Sequence, residues 1–136
     1  MSKEFDPEKL SVVFVDDDKL LVDLFRMLAG EIHPGWEIQC FSDPMRALAY
    51  VKGYGSRIDV MVCDVNMPFV SGLQLFEIIR LKYPLIIKIT LSGNIDSRTI
   101  MDSVKIAEYN LCKPIKGEAL CGKIVELARL RHEGAI

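Results

Sequence analysis

The stretch SVVFVDD, residues 11–17, closes a short apolar run with two neighbouring carboxylates. The run VMVC, residues 60–63, closes in the same way at Asp64, and a third apolar stretch ends at Lys113. A short continuous apolar run is typical of a buried strand, so each charged residue is expected to lie at the end of a strand. If these strands are parallel neighbours, three acids and one lysine share one edge of a sheet.

Strand-like and helix-like patterns alternate along the chain. The predicted strands are 11–15, 36–41, 59–63, 86–91 and 109–112, and the predicted helices are 19–30, 44–53, 73–82, 96–108 and 116–131. This alternation predicts an α/β fold, in which a parallel sheet has right-handed crossovers and helices on both faces. Five such units favour a five-stranded sheet in the order 2-1-3-4-5, the flavodoxin-like (βα)5 three-layer sandwich.

Several local signals support these elements. Asp18 is expected to cap the first helix, and residues 42–44, Ser-Asp-Pro, are a strong helix start. Lys88 interrupts an apolar run and is predicted to mark an exposed strand end. Apolar residues recur at helical spacing in the first helix: Leu20, Leu21, Leu24, Phe25 and Leu28. We predict an N-terminal extension at 1–10, one domain at 11–132 and a tail at 133–136.

Composition bounds the class of protein. The chain has 136 residues, 50% of them hydrophobic and 26% charged, with a net charge of −2, as expected for one globular domain. Mixed charge argues against direct nucleic-acid binding. The N-terminus has no signal-peptide core and no stretch could span a bilayer, so we predict a cytoplasmic protein without membrane insertion. The four cysteines are predicted to be buried, inert thiols: Cys40, Cys63, Cys112 and Cys121.

The predicted strand order brings the three acids together as a candidate metal site. It places the first strand beside the third, so Asp16 and Asp17 would face Asp64. Three close carboxylates repel one another and raise their pKa values. A divalent cation that prefers oxygen ligands removes this repulsion. Mg²⁺ suits such a site because it uses few protein carboxylates and keeps water or phosphate oxygens as other ligands.

The remaining polar groups at the same edge suit an anion. Lys113 adds a compact positive charge, Ser92 a hydroxyl and Gly93 an unobstructed backbone N–H. Together with a metal, these groups describe a pocket for a phosphoryl group, whose oxygens need positive charge on several sides. One of the carboxylates could then be the nucleophile that accepts the group.

Four stretches, in this order, resemble the response-regulator receiver domain of two-component signalling: VVFVDDDKL, DVMVCDVNMPFVSGLQL, IKITLSGN and LCKPI. An acidic pair alone would be a weak signal. The pair, the D-x-N-M-P-x-x-x-G segment, the hydroxyl after a strand and the Lys-Pro are highly specific together. The resemblance covers nearly the whole chain and implies the same doubly wound fold.

The resemblance implies a metal centre and a phospho-acceptor. Asp64 matches the acceptor of the phosphoryl group. Asp17 resembles the direct Mg²⁺ ligand, and Asp16 the second acid, which acts through a metal-bound water. Asn66 matches the position whose backbone carbonyl completes the metal shell. Mg²⁺ is the implied cofactor, with Mn²⁺ as an alternative.

The resemblance also implies the groups that respond to the phosphoryl group. Ser92 matches the switch hydroxyl, Gly93 contributes the adjacent N–H, and Lys113 matches the lysine that pairs with a phosphoryl oxygen. Pro114 matches a proline that is cis in most relatives, a form that an X-Pro bond allows.

The chain departs from the family pattern at one switch position. Asn110 stands three residues before Lys113, where the family usually has an aromatic residue, and Tyr109 is one place earlier. Either the loop is shifted by one residue and Tyr109 is the switch aromatic, or Tyr109 faces elsewhere and the switch differs. The fixed Leu-Cys-Lys-Pro register favours a real departure.

The resemblance implies a phosphorylation-dependent switch, not an enzyme, with only slow loss of its own phosphoryl group. The donor would be a histidine kinase or histidine phosphotransfer protein. The output would pass through the fourth helix, last strand and last helix to an unidentified target or output domain, or to a dimer that forms on phosphorylation. Two alternatives stay open: a receiver fold that acts without phosphorylation, and a Mg²⁺-dependent aspartyl-phosphate phosphatase. Asn66 argues against the phosphatase, which commonly has a second acid at that position. A flavin or nucleotide module is a weaker alternative, because no glycine-rich phosphate motif is present.

Overall fold

The protein contains one five-stranded parallel sheet. The computed structural model describes residues 4–67, 70–93 and 105–136. The strand order is β2-β1-β3-β4-β5, which confirms the predicted order and fold class. The strands are β1 (Ser11–Val15), β2 (Glu37–Phe41), β3 (Val60–Asp64), β4 (Ile87–Ser92) and β5 (Tyr109–Cys112).

Four α-helices lie within the described residues. They are α1 (Lys19–Ile32), α2 (Pro44–Tyr54), α3 (Gly72–Lys82) and the C-terminal helix α4 (Gly117–His132). The predicted helix 96–108 falls largely outside the described residues, although Lys105 and Ile106 are helical. None of the helices described is both long and apolar enough to cross a membrane.

The sheet separates two apolar cores, because alternate residues of each strand face opposite sides. One core lies under α1 and α4 and includes Val12, Phe14, Val60, Val62, Ile89 and Leu91. The other lies under α2 and α3 and includes Val13, Val15, Met61, Cys63, Leu75 and Phe76. Helices therefore cover both faces, as the three-layer prediction requires.

The helix starts follow the expected chemistry. Asp18 caps α1 by accepting hydrogen bonds from the backbone N–H groups of Leu20 and Leu21, at 3.0 and 3.4 Å. Asp43 caps α2 and accepts from the N–H of Met45, with Pro44 at the first helical position. Both predicted helix starts are confirmed. Such caps satisfy backbone donors that have no partner within the helix.

The buried face of α1 is narrower than its leucine pattern suggests. Val22, Phe25 and Ala29 are buried. Leu20, Leu24 and Met27 instead form an exposed apolar stripe, with exposed fractions of 68%, 47% and 57%.

The segment before β1 packs against the domain. Leu10 is buried, and the Trp36 indole N–H donates to the Pro7 carbonyl at 2.7 Å. The imidazole of His33 stacks on the Trp36 ring and contacts the Glu8 carboxylate at 3.1 Å. Residues 7–10 are therefore held against the turn that precedes β2.

The prediction that Lys88 marks an exposed strand end is wrong. Its side chain is only 4% exposed, and its ammonium contacts Glu108 Oε1 at 2.9 Å and donates to the Ile86 carbonyl at the same distance. Arg131 of α4 binds the same Glu108 oxygen at 2.9 Å. Glu108 lies twenty residues later in the chain. Its negative charge offsets the free-energy cost of burying the Lys88 ammonium.

Glu108→Gln should destabilise the fold by up to about 3 kcal/mol, because it leaves the buried Lys88 ammonium without its counter-charge. Chemical denaturation of the variant and the wild type measures the difference. Adding Lys88→Met to Glu108→Gln should recover part of the loss.

Glu126→Gln is the matched control, since it breaks an exposed ion pair with Lys123 that has an N–O distance of 2.8 Å. Such a pair should contribute less than about 1 kcal/mol. Equal losses of stability in Glu108→Gln and Glu126→Gln would contradict this prediction, because the buried Lys88 pair would then stabilise the fold no more than an exposed pair.

Candidate functional site

Four sequence-predicted side chains meet at the carboxyl edge of the sheet. Asp16 follows β1, Asp64 ends β3, Ser92 ends β4 and Lys113 follows β5. Because β1 pairs with β3 and β4 lies between β3 and β5, the sheet order brings these strand ends together. Ligands of open α/β sheets bind beyond this edge.

Three carboxylates form a cluster that fits a metal ion. Asp16, Asp17 and Asp64 each offer an oxygen, and these oxygens lie within 4.8 Å of one another. Asp16 is fully buried and Asp64 is 5% exposed, whereas Asp17 is exposed and opens the cluster to solvent. Hard oxygen ligands, few in number and open on one side, suit Mg²⁺ or Mn²⁺.

Lys113 lies between two of these acids. Its ammonium is 2.7 Å from Asp16 Oδ2 and 3.2 Å from Asp64 Oδ2. Partial burial by itself lowers the pKa of Lys113, but the hydrogen bonds and charges of Asp16 and Asp64 outweigh that effect, so the net pKa is raised. The lysine is therefore a firmly charged cation within the acidic cluster.

The surroundings of Asp64 disfavour its ionised form. Burial raises the pKa of its carboxyl group, and the charge of Asp16 adds to the increase. The backbone N–H of Asn66, 3.0 Å from Asp64 Oδ1, and the Lys113 ammonium lower the pKa without cancelling the rise. Ionised Asp64 thus gains from any further positive charge brought to it.

Backbone contacts fix the position of Asp16. Its N–H donates to the Phe41 carbonyl at 3.1 Å, and its Oδ1 accepts from the Asp18 N–H at 2.9 Å. Asp18 therefore links the acidic cluster to the start of α1, a role that its capping prediction did not include.

Gly72 lies against the backbone of Asp64. A Cβ atom at Gly72 would be 2.3 Å from the Asp64 carbonyl oxygen, closer than any real contact. Only glycine allows α3 to begin so close to β3. The sequence contained this residue in its D-x-N-M-P-x-x-x-G segment, but only the structure gives the steric reason for it.

The end of β4 meets the end of β5 beside the acids. The Lys113 N–H donates to the Ser92 carbonyl at 2.8 Å, and Gly93 lies next to the aliphatic part of the Lys113 side chain. The Lys113–Pro114 peptide bond is cis. Ser92, Gly93 and Lys113 therefore form one side of the same pocket.

Tyr109 does not share the face of Ser92. It is on the same side of β5 as Leu111, which packs on the α1–α4 core. The Lys123 ammonium of α4 lies 4.5 Å from the centre of the Tyr109 ring. Asn110 instead faces Thr90, the residue two places before Ser92, and accepts a hydrogen bond from its hydroxyl. The structure agrees with the second interpretation of the sequence, in which Tyr109 faces elsewhere.

The prediction of four buried thiols is only partly correct. Cys63 and Cys121 are buried, Cys40 is half-buried and Cys112 is exposed. Burial, with the charges of Asp64 and Asp16, raises the pKa of the Cys63 thiol well above its usual value. Cys112 is exposed because it lies at the end of a short edge strand.

Comparison with known proteins identifies the family. A family model described as "Response regulator receiver domain" matches residues 12–125. The chain is 28% identical over 116 residues to the two-component response regulator ARR12 of Arabidopsis thaliana, covering 84% of the chain and 19% of that protein. It is 30% identical over 135 residues to protein RcaC of Microchaete diplosiphon, covering 93% of the chain and 20% of that protein. The chain spans about a fifth of the length of these two relatives.

A solved structure shows the same fold. The CheY-like receiver domain protein from Methanospirillum hungatei JF-1 superimposes with a TM-score of 0.84 at 20% identity, covering 93% of this chain and 98% of that one. Sequence motifs, strand order and the matched family model agree, and the chain belongs to the response regulator receiver domain family.

Proposed function

We propose that this receiver domain is a signalling switch that accepts a phosphoryl group on Asp64. The observation that supports the proposal is the convergence of three carboxylates and one ammonium within one pocket. Of the two acids that contact Lys113, Asp16 is fully buried, whereas Asp64 is 5% exposed and can be reached from solvent. The domain would act by changing its contacts with partners, without turning over a substrate.

Three residues would hold the divalent cation. Asp16, Asp17 and Asp64 supply carboxylate oxygens, and the backbone carbonyl of Asn66 is the candidate for a further ligand. Mg²⁺ is the proposed ion, with Mn²⁺ as the alternative. When bound, the ion would supply positive charge against the carboxylates and a phosphoryl oxygen, which lowers the repulsion between an anionic nucleophile and an anionic group.

The chain supplies the remaining stabilisation. The Lys113 ammonium already lies 3.2 Å from Asp64 Oδ2, so it can contact a phosphoryl oxygen attached to that carboxylate. Ser92 and Gly93, beside Lys113, offer a hydroxyl and a backbone N–H to the other oxygens. Donors fixed around the position where charge accumulates stabilise it at little reorganisation cost.

An apolar groove next to the pocket is the proposed docking site for the phosphoryl donor. The groove has a volume of about 490 Å³, and its lining includes Leu21, Leu24, Leu28, Ile115 and Lys113. Lys113 lines both the groove and the acceptor pocket, so a partner held there places its own phosphohistidine near Asp64. The proposed partner is a histidine kinase or a histidine phosphotransfer protein.

The proposed output face includes β5 and α4. The segment that leads into β5 begins after Ser92, and the segment that leads into α4 begins at Lys113. Phosphorylation would draw the Ser92 hydroxyl and the Lys113 ammonium towards Asp64 and shift the balance between two arrangements of this face. A downstream protein, an output domain or a second copy of the chain would bind one arrangement.

Incubation with acetyl phosphate and Mg²⁺ should give a single phosphoryl adduct on the wild type and none on Asp64→Asn, because Asp64 joins the metal cluster and Lys113 and, unlike Asp16, is not fully buried. Intact-mass spectrometry measures the adduct, and EDTA should abolish it. Asp59→Asn is the matched control, since Asp59 directly precedes the same strand at its opposite end. An adduct on Asp64→Asn equal to that of the wild type would contradict the assignment.

Asp64→Asn should also stabilise the metal-free protein at neutral pH. Burial raises the pKa of Asp64 above its unfolded value, so the folded state binds the proton more tightly and ionisation opposes folding. The gain in the free energy of unfolding should be complete at pH values above the raised pKa of Asp64. It should disappear as the pH falls towards about 4, the ordinary carboxyl pKa.

Thermal denaturation in EDTA across this pH window measures the effect. Asp23→Asn, at an exposed position of α1, is the control and should not show the same pH dependence. Lower stability of Asp64→Asn at neutral pH would show that hydrogen bonding to the carboxylate outweighs its desolvation.

Leu24→Arg should slow phosphoryl transfer from a donor protein about tenfold, because it places a charge in the apolar groove. A histidine kinase or phosphotransfer protein that labels the wild type provides the assay. Labelling by acetyl phosphate should stay unchanged, since this small donor does not need the groove. Leu81→Arg on α3, at an apolar position that is more exposed than Leu24 and lies outside the groove, is the control and should leave both rates intact. Equal transfer to Leu24→Arg and wild type would contradict docking at this groove.

A further inference from the structure

A polar contact between the last two strands lies below the pocket. Thr90 of β4 is 1% exposed, yet its side chain is polar. It pairs in register with Asn110 of β5, and its hydroxyl donates to the Asn110 side-chain oxygen. A buried hydroxyl needs a partner, and Asn110 provides one.

This contact lies on the same face of the sheet as the switch hydroxyl. Thr90 and Ser92 are two residues apart on β4, so their side chains point to the same side and are separated by about 6.6 Å along the strand. On β5, Asn110 is three residues before Lys113. The pair therefore lies two residues before Ser92 along β4 and three residues before Lys113 along the chain.

The β5 strand is attached to the sheet along one side, where all four of its residues pair with β4. It is a four-residue strand at the edge of the sheet, and β4 is its strand neighbour. Above the Thr90–Asn110 pair, the Lys113 N–H donates to the Ser92 carbonyl at 2.8 Å. These two contacts add to the ladder between β4 and β5 near the point where the strands present Ser92 and Lys113.

We infer that the Thr90–Asn110 hydrogen bond sets the distance between Ser92 and Lys113 and thereby positions these two groups for the oxygens of a phosphoryl group. Thr90 and Asn110 are positioning residues, since they act through Ser92 and Lys113. The inference rests on the proposed function, because it assigns a role in phosphoryl binding to residues outside the pocket. In this chain Asn110, one member of the pair, stands at the position where the family usually has a switch aromatic.

The metal ligands and the phosphoryl-binding groups lie on different strands. The metal cluster is built on β1 and β3, whereas the phosphoryl-binding groups are on β4 and β5. Loss of the Thr90–Asn110 contact should therefore weaken binding of a phosphoryl-like anion and leave Mg²⁺ binding unchanged. A merely structural role would lower stability without separating the two affinities.

Beryllofluoride, a small anion that mimics an attached phosphoryl group, is the probe. Its affinity is measured by ¹⁹F NMR at saturating Mg²⁺, and Mg²⁺ affinity is measured separately by calorimetry. Thr90→Val removes the hydroxyl at nearly constant volume and should weaken beryllofluoride binding about fivefold, as expected for one hydrogen bond, with the Mg²⁺ affinity unchanged. Thr90→Ser retains the hydroxyl and should restore the wild-type affinity.

Three further variants test the contact from other sides. Asn110→Ala removes the other partner from the exposed side, so it tests the contact if Thr90→Val folds poorly. The Thr90→Val/Asn110→Ala double variant should lose no more affinity than Thr90→Val alone, because both changes remove one interaction. Lys123→Met breaks the contact with Tyr109 on the opposite face of β5 and should leave both affinities unchanged.

The outcomes separate this inference from the proposed function. Wild-type protein that binds neither Mg²⁺ nor beryllofluoride would overturn the proposed function, and the positioning role with it. Wild type that binds both, with folded Thr90→Val and Asn110→Ala binding beryllofluoride equally well, would overturn the positioning role alone. Equal weakening of Mg²⁺ and beryllofluoride would also overturn it, since the effect would not be confined to β4 and β5.

Discussion

Repulsion between carboxylates at one edge of the sheet is the constraint on which the site depends. Asp16 is fully buried and Asp64 nearly so, and their charges lie close enough for each to disfavour the other. The Lys113 ammonium contacts both and supplies one positive charge against three acids. Burial still raises the pKa of Asp64, so this balance is incomplete. The same excess of negative charge suits the cluster to a divalent cation.

The doubly wound topology concentrates these charges in one place. In a parallel sheet every strand presents its carboxyl end at the same edge, and the order β2-β1-β3-β4-β5 makes neighbours of the two acidic strands. The backbone then brings α3 so close to β3 that Gly72 cannot have a side chain. Strand order, loop geometry and electrostatics thus support the same pocket, which agrees with the family to which the chain belongs.

The proposed metal ligands and the proposed phosphoryl-binding groups lie on strands with different mechanical support. Asp16 and Asp64 extend from strands in the interior of the sheet, which have neighbours on both sides. Lys113 follows a short edge strand whose strand neighbour is β4. A strand held at one side moves more readily than a strand held at both. This difference provides a physical route by which charge at Asp64 could change the position of β5 and the surface that it shares with α4.

The sequence by itself determined the order of the described elements and the residues that follow each strand, because hydrophobic period and strand ends are local properties. The sheet order was predictable because doubly wound folds of five units use few strand orders. Helix caps at Asp18 and Asp43 were also predictable, since a cap depends on neighbouring backbone groups. Only the tertiary structure decided that Lys88 is buried, because its partners Glu108 and Arg131 are distant in the chain. It also decided that Leu24 is exposed and that Tyr109 faces Lys123. Helical spacing and strand alternation define faces, but which face is covered depends on elements that pack from elsewhere in the sequence.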